Sequence, residues 1–103
     1  MKGIRLTDHQ VFVIKEGFKT CFQEGDHIWL FGSRADLSKK GGDIDLYIET
    51  TMQPLEKAID AKHKLFIQII SKLGDQRIDI VINNNSGAHL IYKIAREEGV
   101  QLV

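Results

Sequence analysis

The stretch FGSRADLSKKGGDIDLYIE, Phe31 to Glu49, sets Asp43 and Asp45 among Ile44, Leu46 and Ile48, directly after a polar loop carrying three glycines. Aspartate is depleted in strands and costly to bury without a partner, so two of them alternating with core-type residues demand a reason. Side chains alternate across a sheet, which sends Ile44, Leu46 and Ile48 to one face and Asp43, Asp45, Tyr47 and Glu49 to the other. The expected strand spans Asp43 to Glu49, and its acid face is a candidate cleft wall.

Working outward, Ile28-Trp29-Leu30-Phe31 is a short continuous apolar run, as expected for a strand buried on both faces, and Gly32 ends it. Arg34 to Lys39 reads as a short helix capped by Ser33, with Gly41-Gly42 turning the chain into the acid-bearing strand. Upstream, Thr7 followed by Gln10 is a capping box, and Val11, Ile14, Phe18, Cys21 and Phe22 form a helical stripe running to about Glu24. Downstream, Thr50 to Gln53 is a linker. Pro54 then suits the first turn of a helix whose apolar stripe is Leu55, Ile59, Phe66, Ile69, Ile70 and Leu73, stopped by Gly74.

A third alternating segment, Arg77 to Ile82, places Ile78, Ile80 and Ile82 on one face and Asp79 on the other. The polar run Asn83 to Gly87 follows, then a last helix bearing Ala88, Ile91, Ile94 and Ala95, with Gly99 past its end and Val100 and Leu102 as an edge strand. The order α, β, short α, β, α, β, α, with no repeat or low-complexity tract, predicts a small α/β (α+β) fold with a mixed sheet flanked by helices. All 103 residues fit a single domain, 1–103, too small to add a separate recognition domain to a catalytic unit.

Composition narrows the function classes. With 43% hydrophobic and 27% charged residues the chain reads as globular and soluble, and 14 basic against 14 acidic residues give no general attraction for nucleic acid. No apolar run reaches the length of a membrane span and the start MKGIRLTDHQ lacks a secretory core, so the expected location is the cytoplasm. Cys21, at helical spacing with Ile14 and Phe18, is expected to be a buried reduced thiol. The four histidines show no metal-ligand spacing and receive no role.

Asp43 and Asp45 lie two positions apart on one face, which sets their α-carbons roughly 6.6 Å apart, and Asp79 joins them if its strand is a neighbour. Two carboxylates about 5 Å apart repel by about 3 kcal/mol at an effective dielectric of 20, a penalty that a divalent cation removes. Hard oxygen ligands favour magnesium or calcium, and magnesium commonly takes one or two carboxylates plus waters and substrate phosphates. A calcium loop does not fit, because Leu46-Tyr47-Ile48 continues a strand where such a loop needs its glycine. Gly32-Ser33 adds an anion cradle, since a glycine at a strand end lets backbone N–H groups approach a phosphate, and Arg34 or Lys39 adds charge. A cradle followed about ten residues later by acids suits a metal-bound triphosphate.

Gly32-Ser33, nine intervening residues and Asp43-Ile44-Asp45 resemble the GS(x9 or x10)DxD signature of the DNA polymerase β nucleotidyltransferase superfamily. The length, the later RIDIVI with Asp79, and the ending IYKIAREEGVQL resemble its smallest branch, the minimal nucleotidyltransferases of prokaryotes, over nearly the whole chain. The resemblance implies a polymerase β-like core in which Asp43 and Asp45 bind two magnesium ions, Asp79 serves as third ligand and candidate base, and Gly32 and Ser33 hold the β- and γ-phosphates of ATP. Many members read Ala-Arg-Gly after GSx where this chain has Ala35-Asp36-Leu37, so the loop lacks that arginine, with Arg34, Lys39 and Lys40 as nearby cations. It further implies a HEPN-type partner encoded nearby, in a toxin–antitoxin pair where AMP passes from ATP to a tyrosine of the HEPN protein.

Three readings follow. The chain is an enzyme that transfers AMP to a protein tyrosine, an enzyme that modifies a small molecule such as an aminoglycoside, or an inert antitoxin that binds nucleotide or partner without turnover. The complete three-acid set favours the enzyme readings.

Overall fold

The computed structural model describes residues 4–36, 42–84 and 90–103. The Thr7 capping box forms as expected: the Thr7 hydroxyl accepts from the Gln10 N–H at 3.0 Å while the Gln10 side chain accepts from the Thr7 N–H at 2.9 Å. Helix α1 (Asp8–Cys21) stops short of the expected Glu24. Phe22 leaves the helix in an extended conformation, with its ring stacked 5.1 Å from that of Phe18. The chain then turns around Asp26, whose buried carboxylate accepts bonds from the Gln23 N–H, the Thr50 hydroxyl and the Thr51 N–H.

Strand β1 (His27–Phe31) follows, then a single 3-10 turn over Gly32–Ala35. This turn differs from the helix expected after a Ser33 cap. Phe31 occupies the capping position without a side-chain bond, and Ser33 lies inside the turn, its carbonyl accepting from the Asp36 N–H at 3.3 Å. The rest of the expected short helix, with Lys39, Lys40 and Gly41, lies outside the described residues. Strand β2 (Ile44–Glu49) begins one residue later than expected. Helix α2 (Leu55–Leu73) ends at Gly74, which takes a φ of 80° and donates its N–H to the Ile70 carbonyl at 2.9 Å.

Strand β3 (Ile78–Asn83) runs one residue further than expected, because the Asn83 carbonyl accepts from the Thr50 N–H at 3.0 Å and extends the ladder. Helix α3 (Leu90–Glu98) and the short strand β4 (Val100–Gln101) complete the chain, while the expected helical start at Ala88 lies outside the described residues. The sheet order is β3-β2-β1-β4, with β2 and β3 parallel and the other pairs antiparallel, so the fold is the small mixed α/β (α+β) type.

One face of the sheet packs on α1 and α2. Ile28, Leu30, Ile44, Leu46, Ile48 and Ile80 meet Ile14, Phe18, Leu65 and Ile69 there, and burying one such side chain is worth about 1.5–3 kcal/mol. The stripe expected on α2 is displaced by this packing. Its buried side is Ala58, Ala61, Leu65 and Ile69, whereas Leu55, Ile59 and Phe66 remain exposed. Close approach of α1 is the cause: a Cβ on Gly17 would stand 2.9 Å from a Leu65 methyl, so the small residues of α2 take the interface and rotate the large ones out.

The opposite face is covered by α3, of which Ala95 is buried while Ile91 and Ile94 stay exposed, contrary to the expected stripe. Tyr92 and Arg96 make the contact instead, with the Tyr92 ring 5.5 Å from Tyr47 and the Arg96 guanidinium 5.4 Å above the Trp29 ring. Tyr47 is therefore fully buried under α3, and Glu49 receives the Tyr47 hydroxyl at 2.7 Å and Arg96 at 3.4 Å. Both share the face of Asp45, where they form a structural network with Asn83, and neither is among the described residues that line the cleft beside Asp45. Among the described residues no helix is long and apolar enough to cross a membrane.

Candidate functional site

Pairing places Phe31 opposite Asp45 on one side and Asp79 beside Asp45 on the other, so these three share one row across β1, β2 and β3. Within this row Phe31 packs against the cluster of Trp29, Tyr47 and Ala95, and the two acids face a cleft that Ile91 of α3 also lines. Asp45 is half-buried and Asp79 exposed, and Asp43 precedes β2 by one residue.

The turn after β1 closes over this row. Gly32 has a φ of 73°, a conformation that side chains rarely adopt, and a Cβ there would run into the Asp45 carboxylate. Glycine is thus required both for the turn and for the approach of its backbone to an acid. Ser33 follows directly, half-buried in the same turn.

Asp45 records the electrostatics. Burial pushes its carboxyl above the ordinary carboxylate range, and repulsion first from Asp79 and then from Asp43 adds to the rise. Asp45 therefore stands within reach of both other acids. As they stand, however, no three acidic, histidine or cysteine side chains among the described residues converge as a ready-made metal cage. Asp43 contributes to this, since its Oδ1 pairs with Arg77 Nε at 3.6 Å, a pairing of exposed groups worth little in water. Asp45 and Asp79 are the close pair, and their donor set of carboxylate oxygens in mutual repulsion suits a hard divalent cation.

Arg34 occupies a supporting position. One guanidinium nitrogen donates to the Arg5 carbonyl and another to the Gly42 carbonyl, each at 2.9 Å, while the Arg5 N–H returns a bond to the Arg34 carbonyl at 2.8 Å. The Arg34 side chain thereby ties the segment before α1 to the residue that precedes Asp43. Its buried Nε has no partner among the described residues. No protein-family model matches this chain, and no curated protein matches it.

A cleft of about 570 Å³ opens beside the acids. Phe31, Asp45 and Asp79 line it together with Lys62, His63 and Phe66 of α2. Neither Lys62 nor His63 announces itself in the sequence. Both sit in a helix whose apolar periodicity marks the large side chains as core, and only the close crossing of α1 and α2 turns that side of the helix toward β3.

Proposed function

We propose that this protein is a magnesium-dependent nucleotidyltransferase that transfers AMP from ATP to an acceptor hydroxyl, with a tyrosine of a HEPN-type partner in the cytoplasm as the leading acceptor. The observation that carries the reading is the in-register pair Asp45 and Asp79 beneath the Gly32 turn, within the GS and DxD spacing. Asp43, Asp45 and Asp79 would hold the magnesium, which when bound neutralises phosphate and carboxylate charge together.

Each residue then has a task. The Gly32 and Ser33 backbone N–H groups and the Ser33 hydroxyl hold the β- and γ-phosphates, and Arg34 fixes the Gly42 end of the loop. Asp79 accepts the proton of the acceptor hydroxyl as its oxygen bonds to the α-phosphorus. The bond from that phosphorus to the bridging oxygen breaks, and pyrophosphate leaves with the electron pair. Orientation and charge stabilisation supply most of the rate in such a displacement. The test is transfer of label from ATP marked at the α-phosphate to the protein encoded next to this one. Label that stays in ATP would leave the inert nucleotide-binding reading.

A further inference from the structure

Two arginines bracket Asp43. The Gly42 carbonyl before it accepts from an Arg34 guanidinium nitrogen at 2.9 Å, and the Ile44 N–H after it donates to the Arg77 carbonyl at 2.8 Å. The backbone is thus held on both sides of Asp43, and its side chain is left to choose a partner. The partner it takes is the Arg77 guanidinium, with Nε 3.6 Å from Oδ1.

Strand register shows how this pair sits against the other acids. Ile44 stands beside Ile78 and Asp45 beside Asp79 on the parallel strands, so Arg77 falls beside Asp43 one position before the first of these pairs. Alternation puts all four side chains on one face, three carboxylates and one guanidinium in two neighbouring rows.

The Asp43–Arg77 contact is built to be exchanged. It joins one nitrogen to one oxygen, at a distance beyond that of a strong charge-assisted bond, and the side chains are 88% exposed at Arg77 and 46% at Asp43. While it holds, Asp43 is drawn toward Arg77, and among the described residues no three acids converge as a metal cage. Asp43 can turn Oδ1 to a divalent cation only by releasing the guanidinium. A released arginine then needs an anion, and the phosphate oxygens of a nucleotide suit its planar fork better than one carboxylate oxygen does.

Resting on the nucleotidyl-transfer reading above, the geometry points to Arg77 as a positioning residue that ties metal capture to nucleotide binding. It keeps Asp43 from joining Asp45 and Asp79 until a phosphate draws the guanidinium away. The chain therefore binds a divalent cation weakly by itself and tightly together with nucleotide. Coupling between two ligands is reciprocal, so loss of Arg77 has a crossed signature: the cation alone binds more tightly, the nucleotide binds less tightly, and each helps the other less.

The test counts bound manganese(II), in place of magnesium, by electron paramagnetic resonance of the whole chain, with and without the non-transferable analogue α,β-methylene ATP. In Arg77→Ala, manganese alone should bind about threefold more tightly, as expected for a carboxylate freed from an exposed ion pair, and the analogue at saturating manganese about tenfold less tightly. Arg77→Lys, which keeps the charge without the fork, should match wild type for manganese alone and fall between the two for the analogue. Added to Asp43→Asn, Arg77→Ala should no longer tighten manganese binding, because Arg77 acts through that carboxylate. Manganese affinity in Arg77→Ala that is unchanged or lower, tightening that persists undiminished in the Asp43→Asn background, or unchanged analogue binding would each overturn the role of Arg77. Wild type that binds no analogue at saturating manganese would instead remove the nucleotidyltransferase reading itself.

Discussion

Asp45 and Asp79 stand side by side on parallel strands with their α-carbons in register, and Asp45 lies under the backbone of Gly32. A fold with no use for the pair would relieve it with one neutral substitution. Here the repulsion coincides with a glycine whose missing side chain lets its backbone close over the acid.

Gly32→Ala tests that packing. The added methyl meets both a disfavoured backbone conformation and the Asp45 carboxylate, and a stability loss of about 1–3 kcal/mol is expected from urea unfolding. Asp45→Ala removes the carboxylate but leaves the backbone penalty, so the Gly32→Ala, Asp45→Ala double variant should lose less than the sum of the two single changes. Strict additivity would show that the two residues do not meet.

Asp45→Asn should melt at or slightly above the wild-type temperature near neutral pH without metal, because it removes one of three clustered like charges. The sign follows from the raised carboxyl: the folded state holds the proton more tightly than the unfolded state. Stability from this group is present below the ordinary value of 3.8 and is lost as pH rises through the higher folded value. The advantage of the asparagine should therefore shrink as pH falls toward 3.8. Magnesium with ATP should raise the wild-type melting temperature and do little for Asp45→Asn. A clear drop in the metal-free variant would make Asp45 a structural partner instead.

How far these features could be read in the sequence depended on whether local chemistry or helix packing decided them. The acid alternation in Asp43 to Glu49, the glycine at Gly32, the capping box at Thr7 and the stop at Gly74 are local, and each element formed where its residues indicated to within a few positions. The row Phe31, Asp45, Asp79 required the pairing of strands, which the alternation of Arg77 to Ile82 made plausible but did not dictate. Leu55, Ile59 and Phe66 are exposed despite lying on the apolar stripe, because helical period marks a stripe without saying which part a neighbour covers. Gly17 and the alanines Ala58 and Ala61 held that information, as small residues that permit a close helix crossing. The Tyr47–Glu49–Arg96 network joins α3 to β2, and no local pattern reveals a contact between residues so far apart.

Tyr47 supplies a prediction away from the acids. Burial is the main cause that pushes its phenol up to about 12; the bond to Glu49 adds to this, while the bond from Asn83 opposes it. A folded value above the unfolded one means that this contribution to stability is intact below about 10 and is lost as pH rises toward about 12. Thermal melts across that range should fall more steeply for wild type than for Tyr47→Phe, with the variant less stable at neutral pH because Asn83 and Glu49 each lose a partner. Parallel profiles would place the hydroxyl in water.

The most direct measurement is AMP transfer itself, read as label passing from the α-phosphate of ATP to the protein encoded beside this one, with magnesium present. Wild type should label its acceptor and release pyrophosphate. Asp45→Asn and Asp79→Asn should fold, melt no lower than wild type without metal, and lose the transfer, since positioning and charge stabilisation supply most of such catalysis. Transfer that persists undiminished in both folded variants, or wild type that moves no label while both variants melt lower, would contradict a nucleotidyltransferase built on this pair.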